Sequence, residues 1–332
     1  MKIVVVGSGS IGSLYGAFLS QLKDTEVILI GRNPHISAIQ KKGLRIKGIL
    51  GDRIFKLKAI KFASEIDSAD LVIITTKTYD TLEAAKSARH LIDAGASVLL
   101  IQNGLGTEEK VAKVLNTTKV LRATTCMGAI RTSPGVVTAT GCGLTEIGSR
   151  YPENKELIEI LVEMMKEAGF KVRSSDNIEG VVWTKTLVNC GINPVGALTG
   201  LSNGEVYRNS ALRGLIVRLV KEAVQVVDTL GVELTTEDPI RYALGTAKAT
   251  GNNINSMLQD LQAGKRTEID EVTGEIIRLA KEHGIETPSN EAVYALVKAL
   301  ESKNLKEGKK LAEIDLLKVD DLVEAITGGS SW

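Results

Sequence analysis

The sequence predicts an α/β protein in two parts: a doubly wound sheet domain over residues 1–174 and an all-helical domain over 175–332. Three observations carry that expectation. A short apolar run, Lys2-Ile-Val-Val-Val6, leads directly into Gly7-Ser8-Gly9-Ser10-Ile11-Gly12. Strand-like and helix-like stretches then alternate as far as Arg173. After Ser175 the strand patterns stop and only helical periodicity remains. At 332 residues the chain is long enough to bury two separate cores.

Taken in order, Lys2–Val6 has the unbroken apolar character of a strand covered on both faces. The glycine run should open a helix reaching about Leu22, and Glu26–Ile30 should form a second buried strand. Asn33-Pro34 suggests an N-cap followed by a first-turn proline for the next helix. Leu44–Lys47 and Arg53–Ile60, around Gly48 and Gly51, resemble a small antiparallel excursion. Asp70–Thr76 and Ser97–Gln102 are further buried strands, with a helix over Leu82–Ile92 between them. Val120–Thr125 continues the sheet, and Gly135–Gly148 suggests an antiparallel addition. A helix over Asn154–Ala168 and a short strand at Lys171–Arg173 complete the domain.

The glycine spacing has a chemical meaning in this setting, because it follows a strand, opens a helix and precedes a second strand at the right distance. That is the Rossmann-type arrangement. Gly7 would permit the tight turn, Gly9 would let the backbone approach a pyrophosphate, and Gly12 would let helix and strand pack closely. Unpaired N–H groups of Ser8, Ser10 and Ile11 would then face the phosphates at the helix N-terminus. The end of the second strand bears Arg32, with no acid between Ile30 and Ser37. A guanidinium fork suits a 2′-phosphate, so the expected cofactor is NADP(H), with NAD(H) as the second reading. Lys77 and Asn103 lie just past strand ends, where open parallel sheets bind their ligands.

In the second part, Ile178–Val195, Leu212–Leu230, Asp238–Ala249, Ile254–Leu261, Glu268–His283 and Asn290–Glu301 read as helices, punctuated by Gly231, Gly264 and Gly284. A further amphipathic stretch spans Leu311–Ile326, and the Gly328–Trp332 tail is expected to fray. Within Trp183–Asn193, Lys185, Asn189 and Asn193 recur every fourth residue, forming one polar stripe that drifts by only about 40° per step. Val181, Val182, Leu187, Val188, Ile192 and Val195 around them are apolar, so the stripe should be largely enclosed. Enclosed ammonium and amide groups need partners, and a row of donors can hold the oxygens of a small polar substrate. Asn252–Asp260 gathers further small polar groups, Ser256 among them. Thr267 could cap the helix that follows, with Asp270 in its first turn.

Composition narrows the remaining classes. With a formal net charge of +1, no charge imbalance points to nucleic acid or an anionic membrane surface. The three cysteines, Cys126, Cys142 and Cys190, are odd in number and lack CxxC spacing, which argues against a disulfide framework or structural zinc. His35, His90 and His283 are expected as surface or capping residues rather than metal ligands. Neither an N-terminal targeting pattern nor an apolar run long enough to span a bilayer is evident, so a cytoplasmic location is expected.

In sequence order, these motifs resemble the ketopantoate reductase family, NADP-dependent enzymes of pantothenate and coenzyme A biosynthesis. The resemblance runs from the glycine loop to about Lys303. It rests above all on Gln102-Asn-Gly104, Trp183-Thr-Lys-Thr-Leu-Val-Asn189-Cys-Gly-Ile-Asn193-Pro194, Asn203-Gly204, Ser256-Met-Leu-Gln-Asp260 and Thr267-Glu-Ile-Asp270. It implies an active site in a cleft between the two domains, with Lys185 as general acid and Glu268 closing the site beside it. It further implies that Asn189, Asn193 and Asn203 bind substrate, that Ser256 holds a carboxylate and that Asn103 lies near both nicotinamide and substrate. Arg32 and Lys77 would grip the 2′-phosphate, and Gly128 and Glu268 would touch cofactor. Two features depart from the family pattern. Residues from about 304 to the C-terminus extend beyond its usual end, and Arg32 is followed by Asn33-Pro34 rather than a longer basic run.

The implied reaction is hydride transfer from NADPH to the C2 carbonyl of 2-dehydropantoate, giving (R)-pantoate. Two other readings stand beside it: a reductase of another 2-oxo acid or an opine-type dehydrogenase, and a non-catalytic NADP(H) sensor. The polar stripe counts against the sensor, which has no use for an enclosed lysine. Of partners, a small-molecule substrate is expected, and the C-terminal extension leaves a homodimer open.

Overall fold

The computed structural model describes residues 1–307 and divides at Val181–Val182 into two compact units. The amphipathic stretch read at Leu311–Ile326 and the Gly328–Trp332 tail lie outside the described residues.

In the first unit, β1 (Lys2–Val6), α1 (Ser10–Leu19), β2 (Glu26–Ile30), α2 (His35–Lys42), β3 (Leu44–Gly48), β4 (Arg53–Phe55) and β5 (Lys58–Ile60) come first. They are followed by β6 (Leu71–Ile74), α3 (Thr81–Ser87), α4 (Arg89–Asp93), β7 (Ser97–Leu100), α5 (Thr107–Leu115) and β8 (Val120–Thr125). The unit ends with β9 (Gly128–Ser133), β10 (Val136–Gly141), β11 (Thr145–Gly148), α6 (Lys155–Glu167) and β12 (Val172–Ser174). The main sheet has eight strands in the order β12-β11-β8-β7-β6-β1-β2-β5, parallel throughout except where β11 meets β8. Alternate residues of β1 enter opposite cores: Ile3 and Val5 pack with α1 and α6, while Val4 and Val6 pack with α3, α4 and α5. That two-sided burial is why the strand reads as an unbroken apolar run. Strand order reverses at β1, which lies between β2 and β6, and ligand crevices of open sheets form at such a point.

Several local readings shift. Arg53–Ile60 is not one strand: β4 pairs antiparallel with β3, and after Lys56-Leu57 the chain joins the main sheet as β5 beside β2. Gly135–Gly148 likewise divides between sheets. Its first strand, β10, sits in a four-stranded sheet ordered β4-β3-β10-β9, while β11 adds to the main sheet. Side-chain alternation marks a strand but carries no information about its partner. The Leu82–Ile92 helix breaks at Ala88, and α5, which opens on a threonine and three charged residues before its first apolar one, is not among the expected helices. Pro34 stands one place earlier than expected, at the cap position ahead of His35, and Asn33 accepts from the Ser37 hydroxyl.

The second unit is helical. Its elements are α7 (Ile178–Thr199), whose first turn belongs to the first unit, α8 (Asn203–Arg208), α9 (Ser210–Leu230), α10 (Pro239–Ala249), α11 (Ser256–Gln262), α12 (Glu275–Glu282) and α13 (Pro288–Glu307). Val188, Ile192 and Val195 of α7 join Leu212, Ile216 and Leu219 of α9 and Val293 and Val297 of α13 in its core. Helix α7 runs one turn past the expected end, through Pro194, whose missing N–H forgoes one bond to the preceding turn. The expected Glu268–His283 helix starts instead as a single π turn, Asp270–Gly274, and becomes α-helical only at Glu275. Among the described residues no helix is long and apolar enough to cross a membrane.

Candidate functional site

The glycine turn joining β1 to α1 is built against the end of β2. The Gly7 and Ser8 N–H groups both donate to the Ile30 carbonyl, at 3.0 and 2.9 Å, and the Gly9 N–H donates to the Gly7 carbonyl at 2.6 Å. Gly7 has φ of +104°, and a methyl there would lie 2.7 Å from the Thr76 nitrogen, so both conformation and space demand glycine. At Gly12 a methyl would meet the Gly7 carbonyl oxygen at 2.3 Å and the Thr75 hydroxyl at 2.2 Å. Gly9 is different: a methyl there would have only the Gly7 oxygen within 4.0 Å. Space therefore lies open above Gly9, at the mouth of α1. No side chain caps that helix, so its first-turn N–H groups remain available to an anion. These features fit a dinucleotide pyrophosphate.

A proton chain braces this turn. Gly135 N–H donates to His35 Nδ1 at 2.9 Å, which leaves the proton of the neutral ring on Nε2. Nε2 then donates to Ser13 Oγ at 3.0 Å, and Ser13 donates to the Ser8 carbonyl at 3.2 Å. Burial, helped by the Arg131 charge, pushes the His35 pKa down to about 4. His35 is thus an interior strut rather than the surface residue its sequence context suggested. Ser10 Oγ, in the first turn of α1, accepts from the Arg131 N–H at 2.9 Å, so the β9–β10 hairpin is pinned to the same loop.

Arg32 projects into solvent just after β2 and pairs with Asp80 at 3.2 Å. Lys77, half-buried, precedes a short 3₁₀ turn, Thr78–Asp80. The Thr78 hydroxyl donates to the Asn103 carbonyl at 2.8 Å, bringing the Lys77 turn and the Gln102-Asn103-Gly104 loop together. Arg122, 2% exposed, donates from one Nη to the Gln102 carbonyl at 2.8 Å and the Gly104 carbonyl at 2.9 Å. It thereby holds the chain on both sides of Asn103, with the buried Glu108 carboxylate 3.7 Å from its Nε. Sequence reasoning missed Arg122, because a lone arginine inside a strand gives no sign of which carbonyls it will meet. Gly128 opens β9 opposite Gly141, where a methyl would lie 2.9 Å from the Gly141 nitrogen.

In the helical unit, Lys185 and Asn189 are half-buried and Asn193 is buried, within a helix whose other residues from Val181 to Thr199 are buried throughout. Asn203 opens α8. Its N–H donates to the Asn253 carbonyl at 3.0 Å, and the next N–H, that of Gly204, donates to the Gly251 carbonyl at 2.9 Å. Asn203 Nδ2 donates to Thr250 Oγ1 at 2.9 Å, and Thr250 passes its own proton to the Thr246 carbonyl. That order fixes the amide orientation and leaves Asn203 Oδ1 buried without a partner. Asn255 caps α11 by accepting from the Leu258 N–H at 3.0 Å. Its Nδ2 is buried, has no hydrogen-bond partner and lies against Gly196 of α7. The fold thus gathers the far end of the α7 stripe, Asn203 and the Asn255-Ser256 corner. Two orphaned amide atoms, one acceptor and one donor, are what a polar ligand could satisfy. Ser256 itself is exposed, and Asn255 was seen in the sequence only as part of a polar cluster.

Glu268, 7% exposed, sits just before the π turn. Thr267 does accept from the Ile269 N–H at 3.2 Å, as a cap would. Asp270 does not bond back to it. It turns instead to Arg266, Tyr294 and Lys298, whose hydrogen bonds outweigh burial and hold its carboxyl below the usual range.

The model for ketopantoate reductase PanE/ApbA matches residues 3–151, and that for its C-terminal part matches residues 177–301. The 2-dehydropantoate 2-reductase of Pyrococcus abyssi is 40% identical, covering 93% of this chain and 100% of its own; that of Pyrococcus horikoshii is also 40% identical, covering 91% and 98%. Among solved structures, a PanE/ApbA family ketopantoate reductase from Ralstonia eutropha superposes with a TM-score of 0.83 at 32% identity, covering 92% of this chain and 99% of that one. D-mandelate dehydrogenase with NADH and anilino(oxo)acetate superposes with a TM-score of 0.85 at 27% identity, with the same two coverages. With both halves matched and such relatives spanning nearly its whole length, the chain belongs to the ketopantoate reductase PanE/ApbA family.

Proposed function

We propose that this protein reduces the C2 carbonyl of 2-dehydropantoate to (R)-pantoate, a step of pantothenate and coenzyme A biosynthesis carried out in the cytoplasm. The observation that carries the reading is the Lys185–Asn189–Asn193 stripe on an otherwise buried helix of a family member. When bound, the nicotinamide dinucleotide supplies the hydride. The glycine turn and the open mouth of α1 suit its pyrophosphate, and Arg32 and Lys77 suit a 2′-phosphate, which favours NADPH.

The protein's own part is to hold the substrate and move a proton. Lys185 Nζ stabilises the alkoxide developing on the C2 oxygen and delivers the proton to it. Asn189, Asn193 and Asn203 bind the polar groups of the substrate, the orphaned Asn203 Oδ1 being suited to a hydroxyl. Ser256 takes the carboxylate, Asn103 orients substrate beside the nicotinamide, and Glu268 closes the site and sets the protonation of Lys185.

A second reading draws on the likeness to D-mandelate dehydrogenase with NADH, which favours a different 2-oxo acid and the unphosphorylated cofactor. Following the absorbance of reduced nicotinamide with 2-dehydropantoate and a panel of 2-oxo acids, under NADPH and NADH in turn, separates the two. Preferential turnover of 2-dehydropantoate with NADPH is expected. Lys185→Ala should keep cofactor binding while losing at least ~10²-fold in kcat. Preference for an aryl 2-oxo acid would establish the second reading, and wild-type turnover by the lysine variant would remove Lys185 from its role.

A further inference from the structure

Helix α13 presents Tyr294, Lys298 and Glu301 at successive spacings of four and three residues, so they share one face. All three are bonded to the short segment that carries Glu268. Glu301 is 3% exposed, and its Oε1 accepts from the Thr267 N–H at 2.6 Å and from the Thr267 hydroxyl at 2.5 Å. Its Oε2 pairs with Lys298 Nζ at 3.0 Å. Lys298 also reaches Asp270 Oδ2 at 3.0 Å, Tyr294 donates to Asp270 Oδ1 at 2.8 Å, and Arg266 donates to Asp270 Oδ2 at 2.8 Å. The residue immediately before Glu268 and the residue two places after it are therefore both clamped to α13.

A buried carboxylate is tolerated only when paired and hydrogen-bonded, and Glu301 meets that condition through one residue of the loop and one lysine of its own helix. Both Thr267 donors converge on one oxygen, which fixes the Arg266–Thr267 peptide and the Thr267 side chain immediately before Glu268. The π turn that follows is an irregularity of the kind that re-aims side chains at functional sites. A catalytic group displaced by about 1 Å can cost about 10²-fold in rate.

We propose that Glu301, acting through Thr267, is a positioning residue for the reduction: it sets where the Glu268 carboxylate stands. The proposal rests on the role given to Glu268 above. It is tested on the full chain by Glu301→Gln and Thr267→Val, each alone and combined with Glu268→Gln, recording kcat, KM and the unfolding midpoint. Glu301→Gln keeps the shape but gives up the charge that gathers the Thr267 donors and Lys298. Thr267→Val keeps the backbone N–H and loses the hydroxyl.

Each single variant should lose about 10- to 100-fold in kcat with KM changed by no more than about threefold, and neither should lower kcat further once Glu268 is Gln. A lowered unfolding midpoint with unchanged kcat would make the clamp a structural brace and overturn the proposal, as would losses that add to that of Glu268→Gln. Full activity of Glu268→Gln alone would instead remove Glu268 from the mechanism. That result, distinguishable by the single variant, takes the proposal with it.

Discussion

His35 ties three separate pieces of chain together: the Gly135 N–H, the Ser13 hydroxyl and, through Ser13, the Ser8 carbonyl of the glycine turn. The arrangement works only for a neutral ring, because a protonated Nδ1 cannot accept from Gly135. With its folded pKa lowered to about 4 from 6.5, chiefly by burial, the native state binds this proton less readily than the unfolded chain. Its contribution is therefore complete above pH 6.5 and is lost as pH falls through the interval toward about 4. The whole of it is on the order of 3 kcal/mol. Urea unfolding of wild type and His35→Gln across that interval should show the steeper decline in wild type, and parallel curves would count against the strut. Legibility varied among single residues. The stripe of Lys185, Asn189 and Asn193 could be read from spacing alone. Arg122, Asn255 and Glu301 could not, since each acts on a backbone group or side chain distant in sequence.

At the level of elements, the β1–turn–α1 unit is tightly specified by its backbone contacts. A methyl at Gly12 would meet a carbonyl oxygen that cannot move without unmaking the turn, as well as a threonine hydroxyl already bonded to that oxygen. Gly12→Ala should lower the unfolding free energy by about 1–3 kcal/mol and weaken dinucleotide binding, both measurable by denaturant titration and fluorescence of the reduced cofactor. Unchanged stability and affinity would mean the turn is more plastic than its contacts imply. Most helices and buried strands were legible because a single amphipathic or apolar period identifies them. The failures lie where an element changes partner, as between β4 and β5. They also lie where an element is as short as α8, or leaves the α-helical period, as at Asp270–Gly274.

On the scale of the whole molecule, ligand binding is read most directly as stability. A ligand at a hundredfold its dissociation constant adds about 2.7 kcal/mol to a protein that binds it only when folded. At equal concentration NADPH should raise the unfolding midpoint more than NADH, and Arg32→Ala should narrow the difference. The pairing of Arg32 with Asp80 is exposed and weak, so a 2′-phosphate can displace the carboxylate at little cost. Equal shifts for both cofactors in the wild type would point to NAD(H) and to the second functional reading.

The sequence by itself determined the fold class, the glycine cradle, the polar stripe of α7 and the family resemblance. These depend on local spacing, which the chain displays directly. Tertiary structure alone decided the sheet order, the division of two apparent strands between sheets, and the supports that hold Ser8, the loop around Asn103 and Thr267. Those depend on which backbone groups and side chains meet across long separations. Hydrogen bonds are directional and short, and the periodicity of a single segment carries no record of its partner.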